Sequence, residues 1–194
     1  ETLPGGSGAQ VTGNKIFKSI SSITSSGNGA GDLKIGIKSA GFTLKVENNN
    51  GNISSSTMPV NASAFYMADK LTNDLAGTGI QASASNRVML GPLSSDTNGL
   101  MSFKLKGSNF DPVTISANIS QDDLSNLARV INQYSTQTGI NAYSTEDFDR
   151  IVLESNVGYD IELTEINSPS DFNIYSLNQD FERTSDRHFI DVSD

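Results

Sequence analysis

Cysteine is absent from the 194 residues, which removes disulfides and thiolate metal ligands from consideration. Histidine occurs once, at His188, so a zinc centre has no clustered ligand set. A serine–histidine–aspartate triad would need that one imidazole, with Asp186 or Asp191 beside it. Its place in a polar terminal stretch favours plain surface duty. Tryptophan is absent and only 36% of the residues are hydrophobic; with Gly, Ser, Asn and Thr abundant, this predicts short strands and many turns around modest cores. No run approaches the ~20 apolar residues of a membrane helix, and no basic-plus-apolar signal segment leads the chain. Positive charge is scarce: 13 Lys and Arg against 22 Asp and Glu leave a net charge of −9. Nucleic acid and anionic membranes are therefore not expected partners, because both require clustered cations. The start at Glu1, without an initiator Met, reads as an excised or processed piece, with any targeting or polymerising segment outside it.

What the chain does have is an ordered stretch over 113–163: a strand, a capped helix, then short strands. Ser120 and Asp123 form an S-x-x-D arrangement ahead of an apolar periodic run. A serine there accepts from a first-turn N–H, and Asp122 and Asp123 put negative charge at the positive end of the helix dipole. Leu124, Leu127, Ala128 and Ile131 fall at i, i+3, i+4 and i+7 and predict one apolar face on a helix over 121–135. Gly139 ends the helical region. Segments 140–142, 151–153 and 161–163 read as half-buried strands.

The pattern recurs upstream in degenerate form. Gly79-Ile80-Gln81-Ala82 stands against Gly139-Ile140-Asn141-Ala142, 60 positions apart. At that offset Ala64, Met67, Ala68 and Leu71 lie over Leu124, Leu127, Ala128 and Ile131. After a three-residue insertion around Glu146, Asp147 and Phe148, Arg87-Val88-Met89-Leu90 matches Arg150-Ile151-Val152-Leu153. Each copy closes on a glycine and an alternating strand, 103–105 in one and 161–163 in the other. This is an internal repeat of roughly 60 residues. Its order of a capped L-x-x-L-A-x-x-I-N helix, T-G-[IV]-x-A, an Arg-led strand and a closing strand resembles the flagellin insertion motif. That motif occurs in outer domains of bacterial flagellins and of hook-associated and filament-cap proteins. The second copy carries it as Ser120, Asp123, Leu124, Leu127-Ala128, Ile131-Asn132, Thr138-Gly139-Ile140-Asn141-Ala142 and Arg150-Ile151-Val152-Leu153. The first copy departs: Ala64 replaces the leading Leu, Asn73 is displaced from the Asn position, and Gly91-Pro92 follows the Arg-led strand. The resemblance covers 42–166.

The expected fold class is α+β, predominantly β, with two repeated helix-plus-small-sheet modules preceded by a β-hairpin region. Residues 1–40 are the N-terminal linker and β-hairpin region, 41–108 the first insertion-type module, 109–166 the second, and 167–194 a polar C-terminal tail with possible strands. Within these, 15–20 and 33–37 flank a turn at 25–32, and 42–46 is a further strand. The first repeat helix starts near Asn61, with Gly77 and Gly79 stopping it. Segment 91–99 reads as a loop, and 101–105 pairs with 113–115. Strands 172–175 and 188–192 lead out of the module, with 178–187 a polar loop between them.

No catalytic, cofactor or metal residue emerges. The acidic groups Asp122/Asp123, Glu146/Asp147/Asp149 and Asp186/Asp191/Asp194 lack a D-x-[DN]-x-[DN]-G calcium loop, and read as helix-start charge and solvated turns. Arg87 and Arg150 lead equivalent strands and read as structural, their stems laid over apolar surface. Gly5-Gly6-Ser7-Gly8 lacks the strand and the Gly-Lys ending of a phosphate loop. The sequons at Asn52, Asn61 and Asn118 read as incidental, whereas the resemblance implies that the Ser/Thr run from Ser19 to Ser26 could carry O-linked sugar.

The resemblance implies a structural protein on the cell exterior: a surface-exposed outer-domain fragment of a flagellin-like or hook/filament-associated protein of the bacterial flagellum. Its partners would be other filament subunits, met through segments outside this chain, and the chain itself would be monomeric. The alternative is a ligand- or glycan-binding module of a large adhesin or phage tail-fibre protein, and an enzyme comes third. The apolar periodicity yields a test of its own. Leu127→Ala should cost about 2–5 kcal/mol by lost transfer energy and a residual cavity, measured by chemical denaturation. Asn126→Ala on the polar face should cost no more than about 0.5 kcal/mol. Equal, small effects would show that the helix rests on no core.

Overall fold

Period-two alternation of apolar and polar residues dominates and makes the chain mainly β. The computed structural model describes residues 10–12, 19–26, 32–47, 51–78, 81–178 and 180–192. Strands β1 (Gln10–Thr12), β2 (Ser19–Ser26), β3 (Asp32–Glu47) and β4 (Ile53–Ser63) lead into helix α1 (Ala64–Asp74). Next come β5 (Asn86–Leu93), β6 (Gly99–Lys106) and β7 (Val113–Ile119), then α2 (Ser125–Gln133) and the single turn α3 (Ser135–Thr138). Strands β8 (Asn141–Ser144), β9 (Ile151–Ser155), β10 (Ile161–Asn167), β11 (Phe172–Leu177) and β12 (Arg183–Ile190) complete the order.

The strands form two antiparallel sheets. One runs β1-β3-β10-β6-β7, with β2 and β4 also paired to the long β3; the other runs β12-β11-β5-β9-β8. Leu33 and Ile35 of β3, Met101, Phe103 and Leu105 of β6, and Ile161 and Leu163 of β10 share one buried cluster with Val88, Leu90, Ile151, Leu153, Phe172 and Ile174 of the second sheet. The sheets therefore face each other across a single core, a sandwich. Helix α2 adds Leu127, Ala128 and Ile131, all buried, and packs against β7 and β8. Buried Asn86 staples the layers, its Nδ2 donating to the Ile35 carbonyl at 2.8 Å and to that of Tyr159 at 3.0 Å.

Two strand pairs occupy the centre. In the first sheet Leu163 faces Leu105, flanked by Glu162 opposite Lys106 and Thr164 opposite Lys104. In the second, Met89 faces Val152, flanked by Val88 opposite Leu153 and Leu90 opposite Ile151. Helix α1 serves a smaller core of its own, where Leu71 and Leu75 meet Leu44, Val46 and Met58 of β3 and β4. The two helices thus pack on different surroundings.

Several sequence-based expectations need correcting. Segments 33–37 and 42–46 are not separate strands but parts of the continuous β3, because β2, β4 and β10 all find partners along it. Ser25 and Ser26 lie in β2 rather than in a turn, while residues 15–18, 27–31 and 79–80 fall outside the described residues. Asn61 does not cap α1: it still belongs to β4 with φ +65°, and Ser63 caps instead, accepting from the Tyr66 N–H. Segment 81–85 carries no strand, and Gly91 and Pro92 belong to β5. The largest correction concerns 167–194. Strands β11 and β12 do not lead away; Phe172, Ile174 and Ile190 are fully buried, and most of the polar segment 178–187 is turn plus the start of β12. Phe172 and Ile174 alternate along β11 and Ile190 ends β12, and the second sheet places all three in the core.

The outer face of the first sheet is held by charge. Lys34 donates to Glu162 at 2.5 Å and lies 3.4 Å from Asp160, Lys106 stands 3.6 Å from Glu162, and Lys104 pairs with Glu165. Partial burial pushes the Glu162 carboxyl up, but the Lys34 hydrogen bond and the charges of Lys34 and Lys106 outweigh it and hold it below its ordinary value. A depressed carboxylate contributes stability above its unfolded pKa and loses it as pH falls through the folded one. Lys34 is raised, chiefly by the Glu162 hydrogen bond against an opposing burial effect, and its contribution is lost as pH rises through that higher value. Glu162→Gln should therefore flatten the acid limb of the stability–pH curve by about 1 kcal/mol or less, as exposed pairs do, with denaturant melts across the carboxylate range as the measurement.

Candidate interaction surface

The skeleton of the second motif copy explains its residue types. Ser120 and Asp123 exchange two backbone hydrogen bonds in a tight turn. The helix therefore starts later than expected, with Leu124 at the N-cap position. The capping falls to Asp123 rather than Ser120: its Oδ1 accepts the Ser125 N–H at 2.8 Å, and hydrogen bonding from Ser125, its side chain first and then its backbone N–H, holds the carboxyl below its usual range. Asn132 then reaches from α2 to the edge strand β8. Its Nδ2 donates to the Ala142 carbonyl and its Oδ1 accepts the Ala142 N–H, both at 2.8 Å. Gly139 takes the left-handed conformation at φ +68°, which glycine adopts without a Cβ penalty. Thr138 donates to the Tyr134 carbonyl at 3.0 Å and accepts the Ile140 N–H at 3.2 Å. The β6–β7 hairpin docks here: Ser108 N–H donates to the Thr138 carbonyl at 2.8 Å, and a Cβ on Gly107 would sit 2.3 Å from that oxygen.

Sixty positions upstream the same bonds recur with other residues. Thr72 donates to the Ala82 carbonyl at 3.3 Å and accepts the Ala82 N–H at 3.1 Å, as Asn132 does with Ala142. Thr78 donates to the Leu75 carbonyl at 2.7 Å, near the place of Thr138. Thr72, not Asn73, stands in the place of Asn132, because its hydroxyl both donates and accepts.

The outer face of the second sheet is the chain's most distinctive surface. Alternation turns Val88, Leu90, Ile151 and Leu153 inward, leaving Arg87, Met89, Val152, Glu154, Tyr143 and Tyr175 on the other side. Arg187 and Phe189 join them on β12, opposite Tyr175 and Asn173. Arg87 Nε donates to Glu154, and its guanidinium lies 4.6 Å over the Phe181 ring. The Arg183 guanidinium lies 4.5 Å over the Tyr175 ring. Tyr143, Phe181 and Phe189 remain 47%, 54% and 45% exposed. Burial first, then the charge and hydrogen bond of Glu154, pushes the Tyr143 phenol up.

The remaining sequence candidates separate. His188 sits partly exposed on β12 opposite Ile174. The Arg150 guanidinium lies 2.9 Å from Asp149, so Arg87 and Arg150, matched in sequence, serve different neighbours. The first two acidic groups come together, because Leu124 N–H donates to the Phe148 carbonyl at 2.8 Å. Asp122, Asp123, Glu146 and Asp147 are all exposed around Phe148, itself 53% exposed. Among the described residues no group of His, Asp or Glu is arranged to hold a metal ion, and no helix is long and apolar enough to cross a membrane. Asn52, Asn61 and Asn118 are exposed. Gly5 to Gly8 and Asp194 lie outside the described residues, as do the side chains of Ser19 to Ser26 and of Asp186.

Residues 101–157, from β6 through β9, match the family model of the flagellin hook IN motif. The chain carries a flagellin hook IN motif. The match spans well under half of the 194 residues and supports the flagellin and hook-associated protein family, a structural rather than an enzymatic family. No curated protein matches the chain.

The Asn132 clamp gives a direct test. Asn132→Ala strands the N–H and carbonyl of the buried Ala142 and should cost about 1–3 kcal/mol. Asn132→Thr should recover part of that loss, since Thr72 makes the same pair of bonds. Denaturant unfolding of both variants measures it, and equal losses would show that the clamp is not what Asn132 contributes.

Proposed function

We propose that the chain is a surface-exposed outer domain of a flagellin-like or hook/filament-associated protein, displayed outside the cell on the bacterial flagellum. The observation that carries this reading is the hook IN motif over 101–157, whose strands β6 and β9 stand in the central pairs of the sandwich. In this reading 41–108 and 109–166 descend from one duplicated unit. The matched bonds of Thr72 with Ala82 and of Asn132 with Ala142 support that origin. Polymerisation is then the task of other segments of the parent protein, and the 194-residue chain is monomeric when dilute.

The open sheet face favours a second reading, a module binding a ligand or glycan through exposed aromatic rings. Two of its rings already carry a guanidinium on one face, which leaves less ring surface for a sugar to stack on. Immunogold labelling of intact cells and isolated flagella, with antibodies raised against this chain, decides between the two. Label along the hook, filament or cap is expected. Label confined to other surface structures would overturn the flagellar reading.

A further inference from the structure

We propose that the arginine-bearing outer face of the second sheet docks on the acidic end of a second copy of this chain, in a head-to-tail contact. This rests on the reading of the chain as a subunit displayed on a filament and adds a lateral contact between outer domains.

Three of the chain's five arginines, Arg87, Arg183 and Arg187, stand on this one face, in a molecule of net charge −9. Among the described side chains Glu154 is the carboxylate on it; Asp180 and Glu182 border it in the β11–β12 turn, where Glu182 accepts from Asn178. Arg183 is exposed, with its guanidinium 4.5 Å over the Tyr175 ring, and a guanidinium's planar fork of donors fits a carboxylate in bidentate fashion. Phe181, Phe189 and Tyr143 supply exposed apolar area between the charges. An aromatic centre with a charged rim is how interface anchors are built.

The same chain supplies the complement. Exposed Asp122 and Asp123 before α2, and exposed Glu146 and Asp147 next to Phe148 in the β8–β9 turn, are brought to one end by the backbone bond from Leu124 to Phe148. Arg150 engages Asp149 there and leaves the other four carboxylates dominant. Face and end are different patches, so a contact between them is heterologous: it can run from copy to copy along a filament surface, where a self-complementary patch would stop at a pair.

The test uses charge swaps on exposed side chains of the 194-residue chain. One variant is Arg183→Glu with Arg187→Glu, the other Glu146→Lys with Asp147→Lys; Asp123 is left intact because it caps α2. Sedimentation velocity across rising concentration should show weak, salt-suppressed self-association of the wild type, its loss in each variant alone, and its return when the two variants are mixed. Circular dichroism confirms that both variants fold. Self-association of the Glu146/Asp147 variant alone at the wild-type level would overturn the proposal in favour of face-to-face pairing. A wild type that stays monomeric at the highest concentration, or a mixture that fails to associate, would overturn it as well. Failure here combined with positive immunogold labelling of flagella refutes this contact only. Association combined with absent labelling refutes the flagellar reading instead.

Discussion

The pair of hydrogen bonds between the Asn132 side chain and the Ala142 backbone fixes the second half of the molecule. Ala142 lies on β8, the edge of the five-stranded sheet, and is 3% exposed. A buried edge residue has an N–H and a carbonyl pointing away from its strand partner, and both must be satisfied. Asn132 supplies one donor and one acceptor from a single planar amide, so it substitutes for a further strand. That ties α2 to β8, and α2 in turn sets Leu127 and Ile131 over the core and its N-cap residue Leu124 against the 145–150 turn. The hairpin of β6 and β7 locks onto the far end of the same helical segment through Ser108 and Thr138. Edge closure, helix docking and hairpin placement are thus linked through a few backbone groups.

Charge is segregated around that frame. On the first sheet lysines and glutamates alternate across β3, β10 and β6, so their bonds run between strands of one layer. On the second, the cations are arginines set beside aromatic rings. Lysine is a hydrated point charge and contributes little beyond its ion pair, whereas arginine lies flat on a ring and keeps its donors. The two outer faces therefore differ in kind: one pairs its lysines with carboxylates across strands, and the other pairs Arg87 with Glu154 but sets Arg183 over a ring.

The parts of the fold legible in sequence were those with strong local periodicity. The buried face of α2, the pairing of 101–105 with 113–115 and the Gly139 stop follow from spacing alone, and Leu127 is indeed fully buried. Asn126 was a poorer control than its polar position suggested, because it donates to the Asn118 carbonyl at 2.9 Å and accepts from Arg129 at 2.7 Å. Helix starts were misread at both copies, since Ser120 and Asn61 have capping chemistry but their backbones are committed to a turn and to a strand. Thr72 went unnoticed because a hydroxyl replaced an amide, and sequence comparison weighs identity rather than hydrogen-bonding capacity. The arginine face could not be read at all: Arg87, Arg183 and Arg187 are up to a hundred residues apart, and only the pairing of β11 with both β5 and β12 brings them together.

That pairing also bears on how 41–108 and 109–166, if they are two copies of one unit, fit into one sandwich. The contacts of β6 with β10 and of β5 with β9 are symmetric about Leu105–Leu163 and Met89–Val152, so a twofold relation holds at the centre. It fails one strand out. The second copy places β7 beside β6 and β8 beside β9. The corresponding places beside β10 and β5 belong to the first part of β3, Leu33 to Ile35, and to β11, which lie before and after the proposed duplicated units. On the duplication reading, the first copy kept its inner strands and gave up its outer ones to these flanking segments. Segment β4 and helix α1, released from the main sandwich, then packed with the far half of β3 as a separate small core around Leu71, Leu75 and Met58. The flanks are accordingly needed to close the hydrophobic faces of β5 and β10, which explains why a stretch as polar as 167–194 buries Phe172, Ile174 and Ile190.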